Sequence, residues 1–208
     1  MHPPVERLLK RARAHLAEAA ATDRQTAEES TESIGSAAQL IAGALQGGGK
    51  LLLCGNGGSA ADCQHMAAEL TGQMRKDFRR PGLAAIALTT DTSFLTAYSN
   101  DFGYAAVFER QVESLGKPGD VLIGISTSGE SENVVRAFKA AKRLGVRTVA
   151  LTGSGGRLVA MADVAISVPS TDTQHVQETH VAVLHILCDL IEFSIFDRAA
   201  GNEMPEKK

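Results

Sequence analysis

One segment of the sequence places several hydroxyl side chains beside a glycine, between an apolar run and a helical pattern. The segment Val121–Ser131 reads VLIGISTSGES, and the hydroxyl residues after its apolar run are Ser126, Thr127, Ser128 and Ser131. Gly129 permits a tight backbone turn, and free N–H groups at the start of the following helix can bind an anion without a lysine. Neutral donors favour a small sugar monophosphate over a nucleoside triphosphate with its magnesium. An ordinary turn with a helix N-cap has the same composition, so this segment alone leaves both interpretations open.

A second segment, Leu51–Asp62, repeats this order of apolar run, polar loop and helix. It reads LLLCGNGGSAAD, and its candidate substrate-binding residues are Asn56, Gly57, Gly58 and Ser59. Neither loop contains the pattern GxGxxG or the P-loop pattern GxxxxGK followed by Ser or Thr, which disfavours dinucleotide and P-loop chemistry. Two such loops in one sheet strengthen the prediction of a phosphosugar site.

A candidate acid–base or metal pair follows the first loop. His65 and Glu69 are four residues apart on a predicted helix and therefore share one face. This spacing offers one nitrogen and one oxygen to a divalent metal, while Glu69 alone could serve as a general base. Solvated His/Glu pairs are also common on helices without any function, so the pair by itself does not decide the chemistry.

Two histidines and a glutamine in the last helical region form a second candidate group. His180 and His185 lie among apolar residues, and Gln177 precedes them. Gln177 and His185 fall near one side of the helix, but they are eight residues, or about 12 Å, apart along an ideal helix. They reach one metal ion only if both side chains stretch toward each other, if Gln177 lies in an unwound first turn, or if they come from different subunits. The sequence does not choose among these arrangements.

Five short apolar runs, separated by helical segments, are expected to position these residues. The predicted strands are Lys50–Cys54, Ala84–Leu88, Val121–Ser126, Thr148–Thr152 and Val164–Val168. The predicted helices are Ala60–Gln73, Ser93–Ser99, Phe108–Leu115, Glu132–Leu144, Leu158–Ala162 and Thr179–Arg198. This alternation is typical of an α/β fold with a doubly wound, five-stranded parallel sheet flanked by helices, in which ligands bind at the carboxyl ends of the strands.

An N-terminal helical extension precedes the sheet. Apolar residues at helical spacing between Val5 and Gln46 predict two helices broken near Ala21–Asp23, and Gly47–Gly49 ends the second one. We assign residues 1–48 to these helices, as an oligomerisation element of the same domain. Residues 49–198 are assigned to the phosphosugar-binding α/β domain and 199–208 to a polar tail.

Composition narrows the class of protein. The 208 residues are 44% hydrophobic and carry a net charge of −3 without a long basic block, which disfavours a nucleic-acid groove. The densest basic spot, Arg79–Arg80 beside Lys76, could hold a small anion or be a solvated loop. Three cysteines without a CxxC pair favour a reducing cytoplasm over a disulfide framework. No signal peptide is recognisable and no stretch approaches the roughly 18 apolar residues of a membrane span, so we expect a soluble protein.

Five motifs together resemble the phosphoheptose isomerases, which belong to the larger group of sugar isomerase (SIS) domains. The motifs are GNGGSAADCQHMAAELTG (Gly55–Gly72), AIALTTDTS (Ala85–Ser93), SNDFGY (Ser99–Tyr104), GDVLIGISTSGES (Gly119–Ser131) and VQETHVAVLHILCDLIE (Val176–Glu192). The likeness extends from about Leu8 to Glu192. The Ser/Thr loop is shared by the wider group, whereas its combination with the motifs that contain His65 and His185 is much narrower.

The resemblance implies an aldose–ketose isomerase that converts sedoheptulose 7-phosphate to D-glycero-D-manno-heptose 7-phosphate through an enediol-type intermediate, for the synthesis of nucleotide-activated heptose. It implies Glu69 and His185 as proton-transfer residues, and one zinc ion per subunit held by His65, Glu69, Gln177 and His185. The substrate contacts that it implies are Asn56, Gly57, Gly58, Glu69, Asn100, Asp101, Ser126, Thr127, Ser128, Ser131 and Gln177. Members of the family are homotetramers with the site between subunits, which would explain the spacing of Gln177 and His185.

Two departures from the family pattern accompany the resemblance. Gln174 stands where some members have an acidic residue, with Asp172 close by, and the insert Met74–Arg80 is longer than in some relatives. Both could alter substrate entry or preference. A non-catalytic SIS regulator, which binds a phosphosugar or a replication-initiator protein, is disfavoured because the full set of candidate residues is present. Another ketose phosphate isomerase stays open as an alternative, because a phosphate loop does not measure the length of a sugar.

Overall fold

A five-stranded parallel sheet forms the centre of the molecule. The computed structural model describes residues 3–197, so the predicted polar tail, 199–208, lies outside the described residues. The strands are β1 (Leu51–Gly55), β2 (Ala85–Ala87), β3 (Val121–Ser126), β4 (Arg147–Thr152) and β5 (Val164–Ser167). Their order is β2-β1-β3-β4-β5, and each neighbouring pair is parallel. The fold class predicted from the sequence is confirmed.

Helices cover both faces of this sheet. They are α1 (Val5–Gln46), α2 (Gly58–Thr71), α3 (Thr92–Phe102), α4 (Val107–Leu115), α5 (Glu132–Leu144), α6 (Arg157–Met161) and α7 (Thr173–Glu192), with a 3-10 turn at Tyr104–Ala106 and a π-helical turn at Phe193–Asp197. One buried cluster joins the sheet to α1, α2 and α7, and a second joins it to α4, α5 and α6. Because both faces are covered, β1 and β3 are buried along their whole length.

The loops after β1 and β3 lie where the chain changes direction across the sheet. From β1 the chain first adds β2 on one side, and β3 then pairs with the other side of β1. A crevice opens outside the carboxyl ends of the strands at such a point, because the two connections leave in opposite directions. The register pairs Gly55 with Ile125, so β1 and β3 end at nearly the same level. The two polar loops selected from the sequence therefore border this crevice.

The N-terminal extension is one continuous helix, and the prediction of two helices was wrong. α1 is 42 residues long and passes through Ala21–Asp23, where no Gly or Pro interrupts it. The prediction took the absence of apolar residues at helical spacing around Ala21–Asp23 as the end of one helix and the start of another. In the structure polar contacts occupy that gap: Ser30 Oγ donates to the Ser167 carbonyl at 2.7 Å, and Thr179 Oγ1 donates to the Asp23 carboxylate at 2.7 Å.

The two halves of α1 have different surroundings. The second half is packed into the α/β core through its buried residues Thr26, Ser30, Ile34, Ala37, Ala38, Ile41 and Ala42. The first half is exposed on nearly all sides, and it presents the large apolar side chains of Val5, Leu8, Leu9 and Leu16 to solvent. The second half of the extension is therefore part of the same core as the sheet, while the first half is available for other contacts.

α7 is apolar and long, and it starts earlier than predicted. It begins at Thr173 rather than Thr179, and its predicted end at Arg198 lies outside the described residues. The segment Thr173–Phe196, with a mean hydropathy of 1.6, is long and apolar enough to cross a membrane. The expectation that no segment of the chain is apolar enough for a membrane span was therefore wrong. The core helix of a globular protein passes the same test. The apolar side of α7 is buried in the core cluster through Val183, Leu184, Leu187, Cys188 and Ile191.

His180 is a fully buried histidine on α7 that should make stability depend on pH. Its Nε2 pairs with the Thr152 carbonyl at 3.1 Å, and its Nδ1 has no hydrogen-bond partner among residues 3–197. Burial lowers the pKa of His180 to about 4 from its ordinary 6.5. Between pH 6.5 and about 4, His180 is therefore protonated in the unfolded chain but neutral in the native protein. The free energy of unfolding should fall by about 3 kcal/mol for this group as the pH drops from 6.5 to about 4.

Urea unfolding at several pH values between about 7.5 and about 4.5 measures this slope. His180→Gln keeps a donor for the Thr152 carbonyl but does not titrate in this range. We therefore expect the variant to lose less unfolding free energy than the native chain over the same interval. If the unfolding free energies of the two proteins fall equally with pH, then His180 does not cause the pH dependence of stability.

Candidate active site

The first polar loop brings the start of α2 against α7. Gly57 has a φ of +56°, which glycine adopts readily, and α2 begins at the next residue. A Cβ on Gly58 would overlap the side-chain amide of Gln177 on α7. Ser59 is buried against the backbone of Gly55. The glycines therefore serve close packing here, and they let the Gln177 amide reach the N-terminus of α2.

Asn56 links this loop to the start of α5. Its Nδ2 donates to Asn133 Oδ1 at 2.9 Å, and Asn133 Nδ2 donates to Asn56 Oδ1 at 2.8 Å. The Tyr104 hydroxyl donates to the same Asn56 oxygen at 3.0 Å. Ser131 lines the same shallow cleft as these three residues. Sequence reasoning missed Asn133 and Tyr104, although Asn133 stands two residues after the hydroxyl loop and Tyr104 ends one of the family motifs.

The hydroxyl loop, residues 126–131, is organised by hydrogen bonds among its own side chains. Ser126 Oγ lies 2.9 Å from Ser131 Oγ and 3.4 Å from Ser128 Oγ. Ser126 is buried at the end of β3, whereas Ser128 and Thr127 face a cleft shared with the glycine loop after β4. The hydroxyls precede the N-terminus of α5, a 13-residue helix whose first N–H groups are anion donors. This arrangement can hold a phosphate group.

Two acidic residues, one within the hydroxyl loop and one directly after it, both pair with Arg157. Arg157 Nε lies 2.6 Å from Glu130 Oε2, and Arg157 Nη1 lies 3.1 Å from Glu132 Oε2. The hydrogen bond from the Arg157 guanidinium holds the pKa of Glu130 below its usual value. The single positive charge of Arg157 therefore offsets part of the negative charge that these two carboxylates place beside a bound anion.

The candidate acid–base and metal residues meet between α2 and α7. His65 Nε2 lies 2.8 Å from His185 Nε2, and the two rings are arranged edge to face. Glu69 Oε1 lies 3.9 Å from the same His65 nitrogen. Glu69 and His185 therefore adjoin a common imidazole within a single chain.

Gln177 belongs to the same helix interface but lies nearer the start of α2. Because α7 is helical from Thr173 onward, the structure excludes an unwound first turn at Gln177. The Gln177 amide lies against Gly58, whereas His185 contacts His65 farther along α2. A single ion bound by Gln177 and His185 thus requires either stretched side chains or a contribution from a second subunit.

Asp62 is a buried carboxyl group in this interface that sequence reasoning did not single out. It is 7% exposed, and its Oδ2 has no hydrogen-bond partner in the part of the chain that the structure describes. Burial raises the pKa of Asp62, while the Gln177 amide and the charge of His65 act in the opposite direction. Its position three residues before His65 on a helix is the signal that could have identified it.

Asn100 and Asp101 lie at the carboxyl end of α3, and both are exposed. Asn100 Nδ2 donates to Asp101 Oδ1 at 2.9 Å. The segment is joined to the first polar loop by the bond between Tyr104 and Asn56. Their role as substrate contacts stays a prediction.

Asp172, the acidic residue near the departure at Gln174, is a helix cap. Its carboxylate accepts hydrogen bonds from the backbone N–H groups of Gln174 and His175, at 2.9 Å and 3.4 Å. These bonds hold the pKa of Asp172 below its usual value. They also explain why α7 starts six residues before its predicted N-terminus.

Arg80 contradicts both sequence interpretations of the basic spot. Its side chain is 1% exposed and forms an ion pair of 2.6 Å with Glu192, the buried last residue of α7. It also donates to the carbonyls of Glu69 and Leu70, at 2.8 Å each. Arg80 is therefore neither solvated nor open to an anion. The insert that contains it closes the carboxyl end of α2, the turn that bears Glu69.

Comparisons with known proteins agree with this architecture. The family model of the SIS domain matches residues 14–153. A phosphoheptose isomerase from Roseiflexus sp. is 53% identical over 175 residues, which cover 84% of this chain and 88% of the relative. This chain belongs to the phosphoheptose isomerase family of SIS domain enzymes. The solved structure of phosphoheptose isomerase GmhA from Neisseria gonorrhoeae matches it with a TM-score of 0.84 at 47% identity, covering 89% of this chain and 98% of that one.

Another member from Aquifex aeolicus is 56% identical over 163 residues, which cover 78% of this chain and 84% of the relative. Relatives named as isomerases thus match most of the chain, and the protein is an isomerase that acts on a phosphosugar. The alternative of a non-catalytic regulator, considered from the sequence, is set aside on this ground.

Proposed function

We propose that the enzyme converts sedoheptulose 7-phosphate to D-glycero-D-manno-heptose 7-phosphate, for the synthesis of nucleotide-activated heptose. The observation that supports the proposal best is the meeting of His65, Glu69 and His185 on the two helices that border the crevice. The reaction moves a proton from C1 to C2 of the open-chain ketose through an enediol-type intermediate. It therefore needs a base above the two carbons and a second group that moves a proton between the two oxygens.

The hydroxyl loop is the proposed anchor of the substrate phosphate. Its donors are the hydroxyls of Ser126, Thr127, Ser128 and Ser131, together with the first N–H groups of α5. The first polar loop, with Asn56, Gly57, Gly58 and Ser59, supplies contacts on the opposite side of the crevice. Binding energy from the distant phosphate then positions the reacting end of the sugar.

Glu69 is the proposed base, which takes the proton from C1 and returns it to C2. Glu69 lies on the last turn of α2, and the Arg80 guanidinium stabilises this turn by donating a hydrogen bond to the Glu69 carbonyl. His185 is exposed on α7 and is the proposed acid–base group for the oxygens O1 and O2. The 2.8 Å contact with His65 orients the His185 ring.

We propose one zinc ion per subunit held by His65, Glu69, Gln177 and His185, of which His65, Glu69 and His185 meet in this chain, while Gln177 joins them through stretched side chains or from a second subunit. Two imidazole nitrogens 2.8 Å apart with a carboxylate beside them are ligands of the kind that catalytic zinc sites use. Buried Asp62, whose Oδ2 has no partner among residues 3–197, adds a nearby carboxyl group that could orient a ligand. Bound zinc would supply Lewis-acid polarisation of the sugar carbonyl.

A homotetramer with sites between subunits is the proposed assembly. The exposed apolar residues of α1, and Ile186 next to His185, are surface that neighbouring subunits would bury. Such an arrangement would also bring exposed groups such as Asn100 and Asp101 to a site in another chain. We place the enzyme in the cytoplasm, where three buried thiols remain reduced, with a small sugar phosphate as its ligand and no membrane or nucleic-acid partner.

Incubation with sedoheptulose 7-phosphate in D2O, followed by NMR, tests this function. We expect the ketose signals to decline and deuterium to enter at C2 of a new aldose phosphate. A chelator should slow the exchange, and added zinc should restore it. Absence of any conversion of sedoheptulose 7-phosphate with zinc present would refute the proposal, whereas conversion of only a shorter ketose phosphate would retain the chemistry and replace the substrate.

A further inference from the structure

We propose a second metal site outside the crevice, where the exposed half of α1 packs against the start of α7. Its ligands are His15, His175 and Glu178, which offer atoms that all lie within 4.8 Å of one another. His15 Nε2 is 2.7 Å from Glu178 Oε1, and His175 Nδ1 is 3.0 Å from Glu178 Oε2. Two imidazoles and a carboxylate are the donor set of a divalent transition metal of the zinc type.

Both helices contribute the same short pattern, a histidine followed by a glutamate three residues later. The pairs are His15 with Glu18 on α1 and His175 with Glu178 on α7. Residues three apart share a helix face, so each helix turns both of its groups toward the other. Glu18 Oε2 lies 3.4 Å from His175 Nε2, the ring nitrogen that the metal would not use. A carboxylate on the second nitrogen fixes the ring of a metal-bound histidine, and Glu18 has this position.

The cluster is separate from the catalytic crevice. His175 and Gln177 are two residues apart on one helix, which turns their side chains about 200° apart around the axis. His175 contacts Glu18 on α1, whereas Gln177 contacts Gly58 on α2. A metal at the cluster therefore belongs to the opposite side of α7.

Burial and spacing both suit a bound ion. The His175 side chain is 7% exposed, while those of His15 and Glu178 are 37% and 46% exposed, which leaves a path for the ion and space for a water ligand. The two hydrogen-bonded separations, 2.7 and 3.0 Å, are slightly shorter than the roughly 3.3 Å between ligands of tetrahedral zinc. All the ligand atoms lie within 4.8 Å of one another, so movements of about 1.5 Å or less bring every pair to the separation found between zinc ligands.

The local charge favours a cation. Glu18 and Glu178 belong to the cluster itself, and the Asp172 carboxylate interacts electrostatically with both histidines. Arg11, which lines the same cleft as His15 and Glu18, carries a positive charge that partly offsets these carboxylates. A bound metal would tie the exposed half of α1 to the first turns of α7, the part of the helix that carries Gln177.

The test uses the full chain with His65→Ala and His185→Ala, because these changes remove the crevice imidazoles. After exposure to zinc and dialysis, we expect about one zinc ion per chain, and a higher melting temperature with zinc than without it. Adding His15→Ala should abolish both effects. His15 is partly exposed and alanine favours helix, so this variant should fold. Arg11→Ala, one turn earlier on the same helix, removes a cation but no ligand and should bind zinc at least as well.

A second measurement uses the chain with its crevice intact. There His15→Ala should lower the zinc content from about two ions per chain to about one, and anomalous scattering should place the lost ion between His15 and His175. Equal zinc retention with and without His15→Ala would overturn the proposal, as would a folded crevice variant that retains no zinc. Neither result bears on the isomerase proposal, which the exchange assay tests on the native chain.

Discussion

Glu69→Gln is expected to abolish turnover of the sugar phosphate while most of the binding remains. The amide has nearly the same shape as the carboxylate but does not accept the proton from C1, so kcat should fall by about a thousandfold or more. The hydroxyl loop and the first polar loop are unchanged in this variant. Calorimetric binding of sedoheptulose 7-phosphate should therefore stay within about tenfold of the native value.

The matched control is Glu113→Gln on α4, an exposed glutamate that pairs with Arg143 at 2.8 Å. It makes the same chemical change far from the crevice and should retain native kcat. Zinc content measured on the same samples separates the loss of a proton acceptor from the loss of a metal ligand. Native turnover in Glu69→Gln would show that Glu69 is not the base that takes the proton from C1.

Arg80→Ala is expected to lower the free energy of unfolding by about 3–5 kcal/mol, the loss typical of a broken buried ion pair. The Glu192 side chain is only 6% exposed and would keep its charge without a partner. The carbonyls of Glu69 and Leu70 at the end of α2 would lose their donor as well. Urea unfolding of the variant and the native chain measures the difference.

Arg79→Ala is the control for this change, because Arg79 is the exposed neighbour of Arg80 and its loss should cost less than about 0.5 kcal/mol. Arg80→Met combined with Glu192→Leu removes both charges, and it should recover part of the stability that Arg80→Ala loses. If Arg80→Ala and Arg79→Ala unfold at the same urea concentration, the buried pair does not have the role assigned to it.

The order of elements could be predicted from the sequence because it depends on local patterns. β3 and α5 have the predicted bounds, Val121–Ser126 and Glu132–Leu144. Continuous apolar runs indicate strands that are covered on both faces, and helical spacing indicates the helices that cover them. The two polar loops could be selected for the same reason, since each directly follows a buried strand.

The failures concern contacts between segments that are distant along the chain. The supposed break in α1 is a stretch where the partners are polar groups of α7 and β5, such as Thr179 and Ser167. Arg80 was predicted to be at the surface because its partner, Glu192, is 112 positions away and no local pattern indicates this contact. A charged side chain is buried only where such a partner is supplied, and tertiary packing supplies it.

By itself, the sequence determined a parallel α/β sheet, two hydroxyl- and glycine-rich loops at the ends of its strands, and the residue types that could move a proton. Only the tertiary structure decided which of these groups touch: His65 meets His185 across 120 positions, and Asn56 meets Asn133 across 77. The physical reason is that periodicity reports which side of an element is apolar. The partner of a polar side chain depends instead on strand order and on how the helices pack.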